Sequence, residues 1–207
     1  PGNYVYSVAF APSEHTLAAA STDHLTRLWD LANPARPTQL AYVSGPASYA
    51  ISVAFSPSGR LLAVGSADKS VWLWDVADPA QPHQLGSRLT GPGGYVYSVA
   101  FSPDGQTLAG GATDGSVWLW RVADPAHPRL VSSLTGPAGH VYSVAFGPGG
   151  QTLAAGSSDG TVWQWDIRPA RVAAGICALA GQPLTRTEWH DYVPGRDYAP
   201  PCGNRPG

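Results

Sequence analysis

Four runs with apolar residues on both alternating faces punctuate the chain: VYSVAF at 5–10, AISVAF at 50–55, and VYSVAF at 96–101 and again at 141–146. That pattern predicts short strands covered on both sides. Each run leads into a turn, APSE, SPSG, SPDG or GPGG, and then into a second strand of small residues such as TLAAGS at 152–157. Small residues there predict a close approach between neighbouring sheets. Hairpin turns follow at Asp23-His24, Asp68-Lys69, Asp114-Gly115 and Asp159-Gly160, where Asp-Gly is a strong local turn signal. The third strand reads LTRLWDL, SVWLWDV, SVWLWRV or TVWQWDI, and a proline-bearing connection such as VADPAHPR leads to a fourth, RLVSSLTG. After Asp166 the last copy has no convincing fourth strand.

The copies share one register. Phe10, Phe55, Phe101 and Phe146 recur at intervals of 45, 46 and 45, and Trp29, Trp74, Trp120 and Trp165 repeat those intervals. Four strands in about 45 residues is the spacing of a propeller blade. Through SVAFSPDGQTLAGGATDGSVWLW at 98–120 and its three siblings, the chain resembles the WD-repeat β-propeller family over residues 1 to about 168. The resemblance implies an all-β fold, a β-propeller of four-stranded antiparallel blades, with repeats near 1–45, 46–91, 92–136 and 137–168; the residues of 169–207, which break the period, are expected to form a short helical C-terminal tail. Four blades are fewer than the family's usual seven, and the chain opens on Pro and has no Met. The expectation is a C-terminal part of a larger propeller, with upstream blades in the same native chain.

Family members commonly tie each blade with a buried network of a His after a Gly, a hydroxyl on the second strand, an Asp in the next turn and a Trp on the third strand. The resemblance carries the Asp role onto Asp23, Asp68, Asp114 and Asp159, and the Trp role onto Trp29, Trp74, Trp120 and Trp165. Ser21, Ser66 and Ser157 match the hydroxyl position; Ala112 does not. The His position departs, because Gly45, Gly91 and Gly136 are followed by Pro46, Pro92 and Pro137. Proline offers neither a side-chain donor nor an N–H, so the Asp side chains are expected to accept from backbone N–H groups of their own turns. Cohesion then leans on the tryptophans. Trp72/Trp74, Trp118/Trp120 and Trp163/Trp165 form i, i+2 pairs that project from one side of their strands.

By resemblance, the start of each innermost strand faces a central channel where WD-repeat proteins bind partners. The residues there are Tyr4, Tyr6, Tyr49, Ile51, Tyr95, Tyr97, His140 and Tyr142, with Thr22, Ala67, Thr113 and Ser158 on the same face. Tyrosine suits interfaces by its rigid area and polar tip, so two readings stand: a docking surface for a peptide or protein, or side chains lining a wet channel. His140 is six residues before Phe146 and is not the network His. It reads as structural, since no nucleophile motif, HExxH, phosphate loop or recurrent carboxylate pair accompanies it. The other histidines, His15, His24, His83, His127 and His190, are scattered, so no metal or cofactor is expected.

Composition narrows the partner class. Hydrophobic residues at 43% and eight tryptophans support a packed chain despite 24 Gly and 20 Pro. A formal charge of -2 with no run of either sign argues against nucleic acid, and no apolar stretch is long enough to span a bilayer. In the tail, 169–181 reads as a short helix, and Thr185 with Glu188 predicts a second starting near Arg186. Cys177, Gly181, Leu184, Thr185, Glu188, Trp189, Tyr192, Pro194, Gly195 and Cys202 resemble the C-terminal extension of WD-repeat regions in large bacterial multidomain regulators. Cys177 and Cys202 leave three readings open: free thiols, a disulfide, or with His190 a metal site. Taken together, the expectation is a non-catalytic, cytoplasmic protein- or peptide-binding scaffold in a signalling protein. The alternatives are a small-molecule-binding or enzymatic propeller using the channel, and a structural spacer.

Overall fold

The computed structural model describes residues 3–168, and every regular element among them is a β-strand. The first sheet holds β1 (Val5–Phe10), β2 (Thr16–Ser21), β3 (Thr26–Asp30) and β4 (Thr38–Val43) in chain order. The second holds β5 (Ala50–Phe55), β6 (Leu61–Ser66), β7 (Val71–Asp75) and β8, which is only His83–Gln84 with a further bridge from Val71 to Leu89. The third holds β9 (Val96–Phe101), β10 (Thr107–Ala112), β11 (Val117–Arg121) and β12 (Arg129–Leu134). The fourth has three strands among the described residues, β13 (Val141–Phe146), β14 (Thr152–Ser157) and β15 (Val162–Asp166). All the described pairings are antiparallel. The helices expected at 169–181 and from Arg186, and the pair Cys177 and Cys202, lie outside the described residues.

Two compact units divide the chain, Pro1–Gln164 and Trp165–Gly207. Of the second, the described part is the end of β15 and a short loop, where Arg168 pairs with Asp166.

Local chemistry explains the turns. Between the first two strands of each sheet, an N–H donates to the carbonyl three residues back: Glu14 to Ala11, Gly59 to Ser56, Gly105 to Ser102 and Gly150 to Gly147, each at 2.8 Å. Those four donors take positive φ, from 62° to 72°. The Asp turns repeat the device, with His24, Lys69, Gly115 and Gly160 left-handed at φ 68° to 81°. The Asp itself is not left-handed, so these are three-residue loops closed by a left-handed residue.

Packing between sheets uses two unlike faces. Leu62, Val64, Trp74 and Val76 of the second sheet meet Ala18, Ala20, Leu28 and Val43 of the first, with Trp72 against the same cluster. One junction on, Val96, Val99, Leu108, Trp120 and Val122 meet Ala63, Val71, Leu73 and Leu89, with Trp118 alongside. Both tryptophans of each pair therefore face the preceding sheet, and small residues on the second strand admit them. Within the third sheet itself, a Cβ at Gly110 would lie 2.9 Å from Cζ3 of Trp120 on the neighbouring strand.

A polar rung accompanies each junction. Val53 N–H donates to Ser7 Oγ at 3.3 Å, Val99 N–H to Ser52 Oγ at 3.1 Å and Val144 N–H to Ser98 Oγ at 3.1 Å. The Ser of VYSVAF thus satisfies a backbone donor of the next innermost strand, as buried N–H groups require. Coverage on both sides holds for β5, where Ala50 to Val53 are all buried, but not for β1 or β13. The reason is tertiary: β1 has no described sheet before it, and β13 none after.

Candidate functional site

The Asp turns bound the start of each innermost strand. Asp68 Oδ1 accepts from Ser70 N–H at 3.1 Å, and Asp114 Oδ1 from Ser116 N–H at 3.0 Å, each also taking the Ser hydroxyl. Asp159 Oδ1 accepts from Thr161 N–H at 2.9 Å and from its hydroxyl at 2.6 Å. These are the own-turn bonds that the missing His leads one to expect. The second oxygen goes further. Asp68 Oδ2 accepts from Ala47 N–H at 3.0 Å, Asp114 Oδ2 from Gly93 N–H at 2.6 Å and Asp159 Oδ2 from Ala138 N–H at 2.8 Å. Each donor is the residue after Pro46, Pro92 or Pro137, so a main-chain N–H reaches the carboxylate where the family has a His. Asp23 instead holds Arg27 in an ion pair at 2.8 Å, with Arg27 replacing the first Trp of the later pairs.

At Asp23, Asp114 and Asp159 the carboxylate form is favoured. Arg27 holds Asp23 below the usual carboxylate range, with Leu25 N–H assisting. Burial alone would raise Asp114, but bonds from Ser116 and Gly93 outweigh it and leave the group low. The Thr161 hydroxyl and N–H depress Asp159 most strongly.

Indole nitrogens divide their roles. Trp72 Nε1–H donates to Asp68 Oδ2 at 3.2 Å, and Trp118 Nε1–H to Ser116 Oγ at 2.6 Å. Trp74 Nε1 is buried with no partner among the described residues. Trp72 and Trp118 thus reach the Asp turns, whereas Trp74 and Trp120 contribute burial to the junction clusters. Trp29 and Trp165 are half-buried. The flat faces of Trp72, Trp118 and Trp163 lie against Gly45, Gly91 and Gly136, where a Cβ would come within 2.5–2.6 Å of the ring.

The tyrosines fall into two groups. Tyr97 and Tyr142 meet edge to face at 5.1 Å, and His140 meets Tyr142 at 6.1 Å. Burial raises the Tyr97 hydroxyl above its ordinary value, and the neighbouring Tyr142, Tyr6 and Tyr95 add to that. Tyr6, Tyr95, Tyr97 and Tyr142 therefore share one neighbourhood, contributed by three sheets. Tyr49 is apart, edge to face with His24 at 5.7 Å. Tyr4 is exposed and Ile51 is buried.

Backbone bonds hold this face in place. Tyr95 N–H donates to Thr113 Oγ1 at 2.9 Å and His140 N–H to Ser158 Oγ at 2.8 Å. His140 Nδ1 bonds Thr113 O, and since a carbonyl only accepts, Nδ1 carries the proton. His140 thus stitches the fourth sheet to the Asp114 turn of the third. His24 is a residue that pattern reasoning left among scattered histidines; its signal was its place in the turn directly after Thr22 and Asp23.

Clefts occur elsewhere, at the strand ends remote from the tyrosines. One of about 500 Å³ is lined by Arg60, Asp75, Asp104 and Gln106, and another of about 430 Å³ by Arg88, Trp120, His127 and Arg129. Among the described residues no three His, Cys, Asp or Glu side chains gather as a metal site, and no helix is long and apolar enough to cross a membrane.

No curated protein matches the chain. The family described as WD domain, G-beta repeat matches residues 1–30, 38–75, 83–121 and 128–166, well over half of the sequence. Each match spans the first three strands of one sheet with its Asp turn and third-strand Trp, the last three matches beginning on the outer strand of the preceding sheet, and on that ground the chain belongs to the WD-repeat family.

Proposed function

We propose that this chain is a non-catalytic scaffold that binds a protein or peptide on the face built from Tyr6, Tyr95, Tyr97, His140 and Tyr142. WD repeats generally mediate protein–protein interactions. What carries the assignment to this face is the Tyr97–Tyr142–His140 cluster, aromatic, partly exposed and braced by main-chain bonds. Rigid aromatic side chains with polar tips lose little entropy on binding and serve as anchors. In this reading the chain is the sensing or interaction module of a larger bacterial signalling protein acting in the cytoplasm, and the tail extends that module.

The test is a selection of displayed peptides on the immobilised chain, followed by titration of the enriched peptides. Tyr97→Ala and Tyr142→Ala should each weaken binding by about tenfold or more, the loss expected for an interface anchor, while far-ultraviolet circular dichroism stays unchanged. Enriched peptides that bind both variants as tightly as the parent chain refute the assignment.

A further inference from the structure

Phe55 and Phe101 are 46 residues apart where the other two intervals are 45, and the extra residue falls in the outer strand of the second sheet. In the first sheet Trp29 pairs with Gln39 and Thr26 with Val43, leaving three residues, 40–42, between the two partners. In the third, Trp120 pairs with Leu130 and Val117 with Leu134, again leaving three, 131–133. In the second, Trp74 pairs with Gln84 and Val71 with Leu89, which leaves four, 85–88. The surplus shortens β8 to His83–Gln84 and drives the chain outward at Gly86, whose φ is 58°. A Cβ there would lie 2.7 Å from Ala126 O, so only glycine lets this excursion abut the loop that enters β12. Gln84 Nε2 braces it by donating to Gly86 O at 3.1 Å.

The cleft of about 430 Å³ lies between this excursion and the third sheet. Arg88 lines it from the second sheet and His127 and Arg129 from the third, together with exposed Leu130 and the otherwise buried Trp120. Both arginines are exposed, and neither side chain has a hydrogen bond or ion pair among the described residues. No carboxylate lines the cleft among the described residues; Asp124, on the same loop as His127, is bonded to His127 Nδ1 at 3.0 Å. The cleft of about 500 Å³ differs, since it mixes Arg60 with Asp75 and Asp104. The cation pair is also particular to this junction. At the first junction the place of Arg88, one residue before the partner of the third strand's first residue, is held by Tyr42, and the place of Arg129, opposite that strand's last residue, by His83.

We propose that this cleft is a second binding site, separate from the tyrosine face, and that it takes a short acidic peptide segment with an apolar residue between its carboxylates. Guanidinium groups pair with carboxylates through a fixed fork of donors, so Arg88 and Arg129 hold the acidic side chains from the two sheets while the apolar residue packs on Leu130 and the edge of Trp120. A cleft of this size admits a few side chains. Two arginines are too few for a nucleic-acid or anionic-membrane footprint, which needs a broad basic patch, but they match the charge of a short acidic segment. The extra residue of the second repeat is then what makes the site: it opens the sheet edge and presents Arg88 toward the entry of β12.

Fluorescence anisotropy of the full chain with a fluorescein-labelled peptide of alternating Glu and Leu tests this. The chain should bind the peptide, less tightly as salt rises, and a counterpart with Gln in place of every Glu should bind at least about tenfold more weakly. Arg88→Ala and Arg129→Ala should each weaken binding by about threefold to tenfold, and the double variant by more, with the urea midpoint unchanged because both positions are exposed. Tyr97→Ala should leave this affinity as it was, and so should Arg36→Ala, which removes an exposed arginine of the first sheet's outer loop. No binding overturns the proposal, as does equal binding of the Gln peptide or binding indifferent to the double variant. A loss with Tyr97→Ala would place the peptide on the tyrosine face, and a loss with Arg36→Ala as large as that with Arg88→Ala would reduce it to non-specific charge attraction; either overturns the proposal. So does co-sedimentation with phosphatidylserine vesicles that needs Arg88 and Arg129 when the peptide does not bind.

Discussion

Gly91 is where a single methyl group tests the packing argument most directly. Its φ of 140° is one that L side chains rarely adopt, and a Cβ there would lie 2.5 Å from Trp118 Cε3 and Cζ3. That is roughly 1 Å short of ordinary carbon–carbon contact. The ring is poorly placed to retreat, because Nε1–H is held by Ser116 Oγ at 2.6 Å and the indole packs beside Val96 and Trp120. Forced overpacking costs about 1–3 kcal/mol, and a strained backbone about another 1–3 kcal/mol. Gly91→Ala should therefore destabilise by about 2–6 kcal/mol, lowering the thermal midpoint by at least about 4 °C in a chain of this size. Gly45→Ala meets Trp72 at 2.6 Å without the positive φ, so it should show only the packing share. Gly149→Ala, in open space, should stay within about 0.5 kcal/mol of the parent. Urea unfolding followed by tryptophan fluorescence measures all three, and repeating Gly91→Ala in a Trp118→Ala background isolates the clash. The reasoning fails if Gly91→Ala costs no more than Gly149→Ala, or if removing the indole relieves none of its cost.

Two further perturbations probe the junctions and the Asp turns. Ser52→Ala leaves buried Val99 N–H without its acceptor, so it should destabilise by about 1–3 kcal/mol; Ser132→Ala on the exposed outer strand should change stability by no more than about 0.5 kcal/mol, both read as urea midpoints. The folded-state affinities of Asp23, Asp104, Asp114 and Asp159 for protons are all lowered. Their stabilisation is thus fully present above the unfolded carboxyl value near ~3.9 and is lost as pH falls through it toward the lower folded values. Unfolding midpoints measured from pH 6 to pH 2 should decline mainly below pH 4, and Asp114→Asn should flatten that decline; a curve unaltered by the substitution contradicts the role given to the turn.

What was legible in the sequence was what depends on near neighbours. Strand positions, the Pro-led turns and the Asp loops follow from two-residue alternation and from residues that tolerate left-handed φ, and the 45-residue period joins them into one repeated unit. Even the shared side of Trp72 and Trp74 is a property of a single strand. The loss of the network His was also plain, since Pro46, Pro92 and Pro137 stand in its place.

Tertiary structure alone decided where the spare bonding capacity went. The second Asp oxygen finds an N–H 21 residues earlier in the chain, a pairing that no local pattern encodes. It also decided that Trp74 and Trp120 are buried, because that depends on the preceding sheet. The tyrosine face split for the same reason: Tyr97, Tyr142 and Tyr6 come from three sheets, while Tyr49 turned to His24. Four copies of VYSVAF-like sequence specify the same strand, but burial is a property of the neighbours. Val96 and Val99 are buried in β9, whereas the matching Val5 and Val8 of β1, with no described sheet before them, are exposed.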